Sequence, residues 1–217
     1  MLTLPDKRLA LQAYEQILEF IMNGTLKPGE LLNERRLADV MNVSRTPVRD
    51  ALLMLEGEGI LLRLDSRRLQ VKQIQIEDYL DALQIRLLLE PSVARHAAGR
   101  VPADRLADLR AKVETLRAKG HVSSDERHLV REIDDSLHGL LCEATGNPQL
   151  TAIIVSLRRR TLMFDLRSVP ERLESTCDEH LAILDAVARG EGEKAAEEMT
   201  AHIAAVRSSI INRLHRR

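Results

Sequence analysis

Residues Asn33–Gly59 read NERRLADVMNVSRTPVRDALLMLEGEG, and their pattern decides the fold of the N-terminal part. Apolar positions recur at helical spacing on either side of a short polar break, so two short helices joined by a tight turn are predicted. Ser44 stands at the N-cap of the second helix, and Pro47 falls in its first turn, where a missing N–H costs little. On a helical wheel Val48, Ala51, Leu52 and Leu55 form one side, while Arg45, Thr46, Arg49 and Leu53 form the other. The apolar side is expected to pack on neighbouring helices. The polar side suits a DNA major groove, because Arg pairs with two acceptors on guanine and Thr contacts phosphate or a thymine methyl. Glu34 and Arg35 open the preceding helix, where backbone or groove-edge contacts are common in this motif. The alternative is a solvated charged face, with Arg45 or Arg49 paired to Asp50 or Glu34.

Upstream, Tyr14, Ile17, Leu18 and Ile21 mark one face of a helix that stops at Asn23-Gly24, and Pro28-Gly29 marks a turn. Downstream the period changes. Ile60 to Leu64 is short and apolar, Asp65 to Arg68 is a polar break, and Leu69 and Val71 alternate with Gln70 and Lys72, which predicts a β-hairpin. Helix, helix, helix, hairpin over residues 1–75 is a winged helix-turn-helix DNA-binding domain. Residues 76–217 read as helices only, with segments near 77–98, 102–119, 124–145, 148–168, 170–189 and 192–214. Short Gly- or Pro-containing breaks between them imply antiparallel neighbours. The expected fold is mainly α: a winged helix-turn-helix followed by an all-α antiparallel helical bundle.

Composition bounds the function. The 217 residues are 44% hydrophobic, enough for a core, and 30% charged. No apolar run reaches the roughly 18 residues of a membrane span, and the start lacks an apolar signal core, so a cytoplasmic location is expected. Cys142 and Cys177 form no metal or redox spacing and read as small packing residues. The formal net charge is −1, and residues 1–76 hold 11 basic and 10 acidic side chains. DNA binding must therefore rest on placed residues rather than bulk basicity.

A second constellation lies in the bundle. Asp134 and His138 are four apart and share a helix face. His180 and His202 each lie 11 residues from Glu191, the centre of the turn between the last two helices, so an antiparallel hairpin sets them level. One carboxylate and three imidazoles suit Zn²⁺, and also Ni²⁺, Mn²⁺ or Fe²⁺. Asp135 competes with Asp134 as the carboxylate, and ordinary polar residues are the plain alternative.

The run Gly24–Gly59, GTLKPGELLNERRLADVMNVSRTPVRDALLMLEGEG, resembles the GntR-type winged helix almost throughout its LxPGxxLxExxLAxxxxVSRTPVRxALxxLExEG pattern. The resemblance implies a dimeric transcription regulator, and places Arg35, Arg45, Thr46 and Arg49 where that family contacts operator DNA, with Glu34 and Ser44 beside them. One departure is plain: Asp65-Ser66-Arg67-Arg68 replaces the family's Gly-rich wing tip, putting Arg67 and Arg68 where the minor-groove backbone would run. Residues 77–214 are similar to the FCD effector domain of the FadR-type subfamily. The segment DDSLHGLLCEATGNPQL (Asp134–Leu150) matches its DxxxHxxLxxxxGNxxL motif, and Glu179–Ile203 resembles its closing helix pair. That resemblance implies a divalent metal, Zn first, on Asp134, His138, His180 and His202, and six helices point to the VanR-like subgroup. It also implies a small organic-acid effector near the metal.

Arg86, in LQIRLLLE, is the candidate anchor for the effector carboxylate, or else a structural partner of Glu90 four residues on. Arg158, Arg159 and Arg160 supply further charge, with no residue among them favoured. The expectation is a homodimeric, ligand-responsive regulator, a repressor, that binds double-stranded operator DNA and is not an enzyme. The rivals are a metalloenzyme acting on a small carboxylate, disfavoured because no HExxH motif or general base accompanies the cluster, and a constitutive DNA binder with a structural metal.

Overall fold

The computed structural model describes residues 4–66, 68–123, 126–165 and 172–215. The chain divides into two compact units, residues 1–76 with 162–166, and 77–161 with 167–217. Its elements run α1 (Leu4–Met22), α2 (Glu34–Met41), α3 (Arg45–Gly57), β1 (Leu61–Arg63), β2 (Leu69–Val71), α4 (Ile76–Ala97), α5 (Ala103–Lys119), α6 (Arg127–Ala144), α7 (Pro148–Asp165), α8 (Leu173–Ala188) and α9 (Gly192–His215). The fold is mainly α, as the periodicity implies. Among the described residues no helix is long and apolar enough to cross a membrane.

In the first unit α1 and α2 both pack on α3. Tyr14, Ile17 and Ile21 of α1 close over Val48, Ala51, Leu52 and Leu55 of α3, all at most 6% exposed. Burying each large aliphatic side chain contributes about 1.5–3 kcal/mol, which holds α3 by one face and leaves its other face outward. The turn between α2 and α3 depends on Asn42, whose φ of 53° is left-handed. Asn tolerates that conformation better than most L-residues, and the Val43 N–H then reaches the Ala38 carbonyl at 3.1 Å. Asn33 caps α2, its side chain accepting from the Arg36 N–H at 3.0 Å. Ser44 occupies the N-cap position of α3, but its side chain makes no capping bond. A capping hydroxyl seeks the N–H of the second or third helical residue, and the third here is Pro47, which has none.

The hairpin pairs β1 with β2 antiparallel, Leu62 opposite Gln70. The segment around Pro28-Gly29, expected only as a turn, also lies along β2. Leu31 bridges Gln70, and the Leu32 N–H donates to the Leu69 carbonyl at 2.8 Å.

In the second unit α5 packs on α6 and α8, and α8 on α9. The α4–α5 and α8–α9 turns meet back to back. The Gly99 N–H donates to the Val187 carbonyl at 3.0 Å. Both Gly99 and Gly190 have φ of +72°, the left-handed region that glycine adopts without a steric penalty. Cys142 and Cys177 are buried free thiols, and burial pushes the Cys142 thiol up to about 12, so both act as packing groups.

Candidate functional site

The outward face of α3 carries Ser44, Arg45, Thr46 and Arg49, all exposed, with exposed Arg35 and half-buried Glu34 at the start of α2. Arg45 Nη2 lies 3.3 Å from Glu34 Oε2, one of the pairings the sequence left open. An exposed pair of this kind contributes roughly 0–1 kcal/mol, so it orients Arg45 without preventing it from taking another acceptor. At the wing tip Asp65 organises the turn in place of glycine: its carboxylate accepts from the Arg68 N–H at 2.9 Å and from Arg68 Nε at 2.6 Å. Arg68 is thus tied to its own turn while remaining exposed. Arg67 lies outside the described residues.

In the bundle, α6, α8 and α9 bring Asp134, His138, His180 and His202 together, with one ligand-type atom of each lying within 4.8 Å of the others. The predicted level register of α8 and α9 is seen directly, the His180 and His202 ring centroids being 4.9 Å apart. The three His are at most 2% exposed, and the Asp134 side chain is 32% exposed. Asp134 Oδ1 lies 3.3 Å from His180 Nε2 and 3.7 Å from His138 Nε2. Both Nε2 atoms are buried and lack a hydrogen-bond partner among the described residues. A buried polar nitrogen with no partner costs free energy. Two of them aimed at one carboxylate fit a divalent cation, which would take both lone pairs and the carboxylate charge at once.

A second layer holds this cluster. His138 Nδ1 meets Glu90 of α4, and His202 Nδ1 lies 2.9 Å from Glu179 Oε2. A carboxylate on one ring nitrogen sets the tautomer and leaves the other nitrogen available as a ligand. Glu90 in turn accepts from Arg86 Nε at 2.6 Å, and Arg86 Nη1 donates to Thr161 Oγ1 at 3.0 Å. Arg86 is therefore engaged in the buried ion pair that the sequence offered as its alternative role. Arg158 is the arginine of the 158–160 run that reaches Asp134. Its Nη2 lies 2.6 Å from Asp134 Oδ2 and 2.8 Å from Asp135 Oδ1, while its buried Nη1 has no partner among the described residues.

The electrostatics favour ligand-ready protonation states. Burial pushes His138 down to about 3, so it is neutral at pH 7, and burial lowers His202 as well. Burial opposes ionisation of Asp134, but the Arg158 guanidinium and the neighbouring His180 overcome it and hold the carboxyl well below its usual range. Glu90 is likewise lowered against burial, by His138 and Arg86.

Sequence reading missed Glu179 and cast Glu90 only as a partner for Arg86. Glu179 precedes His180 in the chain, yet it serves His202 on the facing helix, a relation that no spacing within one helix shows.

A winged helix-turn-helix with basic side chains on the outer face of α3, joined in one chain to a helical bundle with a buried Asp–His cluster, is the architecture of a DNA-binding transcriptional regulator. Residues 9–71 match the gntR family of bacterial regulatory proteins, and residues 81–205 match the FCD domain. The chain belongs to the GntR family, in its FCD-bearing branch; regulators of this family bind DNA and commonly dimerise. It is similar to the HTH-type transcriptional regulator LutR of Bacillus subtilis, 29% identical with 84% of this chain and 92% of LutR covered. It is also similar to the HTH-type transcriptional repressor RspR of Escherichia coli, 27% identical with 95% and 90% covered. Among solved structures, E. coli McbR/YncC shares the fold with a TM-score of 0.82 at 20% identity, covering 99% of this chain and all of the other.

Proposed function

We propose that the protein is a homodimeric, cytoplasmic repressor whose bundle, residues 76–217, binds a divalent metal and a small organic acid that together modulate operator binding by residues 1–75. The observation that carries this reading is the pair of partnerless, buried His138 and His180 Nε2 atoms facing Asp134, with His202 beside them. Borderline nitrogen and oxygen donors suit Zn²⁺ first. Asp134 is partly exposed, which leaves the site open to a small ligand. Arg158, with one buried Nη unpartnered, supplies the cation a carboxylate needs, and takes precedence over Arg86, which Glu90 and Thr161 already engage. Repression follows the description of the relative RspR.

On the DNA side, Glu34, Arg35, Ser44, Arg45, Thr46 and Arg49 form the contact set, with Arg67 and Arg68 at the wing. Arg45 and Arg49 read base edges, Arg35, Ser44, Thr46, Arg67 and Arg68 grip the backbone, and Glu34 orients Arg45. An effector acts here only by binding the DNA-competent and DNA-incompetent states with different affinity.

The test measures binding of the purified protein to DNA from the intergenic regions flanking its own gene, with and without Zn²⁺ and a panel of small carboxylates. Metal-loaded protein is expected to bind with an affinity that falls steeply with salt, and one class of carboxylate to shift that affinity. Arg49→Ala should weaken specific binding by about 1–3 kcal/mol with the fold intact. His180→Ala should purify without metal and lose the carboxylate response. Unchanged metal content in His180→Ala by elemental analysis rejects the site, and wild-type DNA affinity in Arg49→Ala rejects the recognition face.

A further inference from the structure

The first helix of the bundle, α4, buries one face and leaves an apolar ridge on the other. Leu88 is 73% exposed and Ile85 is 42% exposed, and Leu88 is the most exposed of the large hydrophobic side chains among the described residues. Asp81, Gln84, Ile85, Leu88, Ser92 and Arg95 are all exposed and fall at intervals of three and four, so they lie on one stripe of the helix. A leucine this exposed in mid-helix has lost the burial that would stabilise it, and an apolar ridge rimmed by charge marks an interaction surface.

The stripe is complementary to itself. Asp81 lies seven residues before Leu88 and Arg95 seven after. Gln84 and Ser92 are four to either side, and Ile85 and Pro91 are three. Laid antiparallel against a copy of itself, with the two-fold axis at Leu88, the helix sets Leu88 on the partner's Leu88 and Ile85 on the partner's Pro91. The same superposition pairs Gln84 with the partner's Ser92, and Asp81 with the partner's Arg95. Every pairing is apolar with apolar, amide with hydroxyl, or negative with positive. A two-fold interface demands this relation, since residue i must suit j whenever j meets i. Arg95 also holds Glu193 at 2.7 Å within its own chain, yet its side chain stays 44% exposed and can share its charge.

We infer that the exposed face of α4 is a homodimer seam, two copies of the helix crossing antiparallel at Leu88. This rests on the dimer of the preceding section and names the surface that forms it.

Sedimentation velocity and residue-specific crosslinking of the full chain test both. The wild type is expected to sediment as a dimer, and Leu88→Glu as a monomer at the same concentration with an unchanged helical circular-dichroism spectrum. Leu88→Cys is expected to form a disulfide-linked dimer under mild oxidation, because the axis sets residue 88 against itself. Glu77→Cys, 11 residues from the axis, is expected not to. The native Cys142 and Cys177 are buried and leave that readout clean. A dimeric wild type with a dimeric Leu88→Glu and no crosslink at residue 88 overturns the seam and leaves the dimer standing. A monomeric wild type overturns the dimer itself, and the seam with it.

Discussion

His138 shows how one residue is prepared before any ion arrives. Its ring is 1% exposed, its Nδ1 is held by Glu90, and its Nε2 faces Asp134. Burial keeps it neutral, the state a metal ligand must have. Glu90 has two tasks, orienting this ring and neutralising Arg86, and the ion pair between them is buried on both sides. Glu90→Gln keeps the shape but removes the charge that fixes the His138 tautomer. It is expected to weaken Zn²⁺ affinity about 10–100-fold, the usual cost of losing an outer-layer partner. Competition with a chromophoric chelator measures it, and an unchanged affinity would show that His138 is oriented by packing alone.

At the scale of elements, the α2–α3 pair works because its turn is short and its angle fixed. Asn42 in the left-handed region is what lets α3 start after only three intervening residues beyond α2. Asn42→Val puts a β-branched side chain into that conformation, at a cost of roughly 1–2 kcal/mol, whereas Asn42→Gly is expected to be near neutral. Urea unfolding of the two variants checks this, and equal midpoints for both would remove Asn42 as the determinant of the turn. The wing obeys the same logic with different chemistry. A glycine tip would owe its shape to backbone freedom, while here Asp65 takes two hydrogen bonds from Arg68.

For the whole molecule, the cluster makes stability depend on pH and metal. His138 takes up a proton near 6.5 when unfolded but only near 3 when folded. Between those values the unfolded chain binds the additional proton, so folding is favoured above about pH 6.5 and loses free energy as pH falls toward 3. Asp134, lowered in the folded state, acts in the same direction at the acid end. The urea midpoint is expected to drop steadily from pH 7 to pH 4.5, and less steeply in His138→Gln. A wild-type midpoint flat across that window would contradict a neutral, buried His138. Zn²⁺ at 100 times its dissociation constant should add about 2.7 kcal/mol, an increment that fades as protons compete for the same nitrogens.

The amino-acid sequence by itself determined what is periodic or local. The apolar stripes of α1 and α3, the helix breaks at glycine and proline, the hairpin alternation and the equal offsets of His180 and His202 from their turn are each read within one helix, one hairpin or one pair of consecutive helices. Hydrophobic patterning and turn chemistry act over that range. Only the tertiary structure decided which polar groups meet across helices. It chose Arg158 over its two neighbours, set Glu90 on His138 and Glu179 on His202, committed Arg86 to Glu90 and Thr161, and ran residues 29–32 along β2. The physical reason is that a buried charge must find its partner wherever packing brings one within about 3 Å. That distance is set by how helices far apart in the chain are stacked, which no spacing along a single helix records.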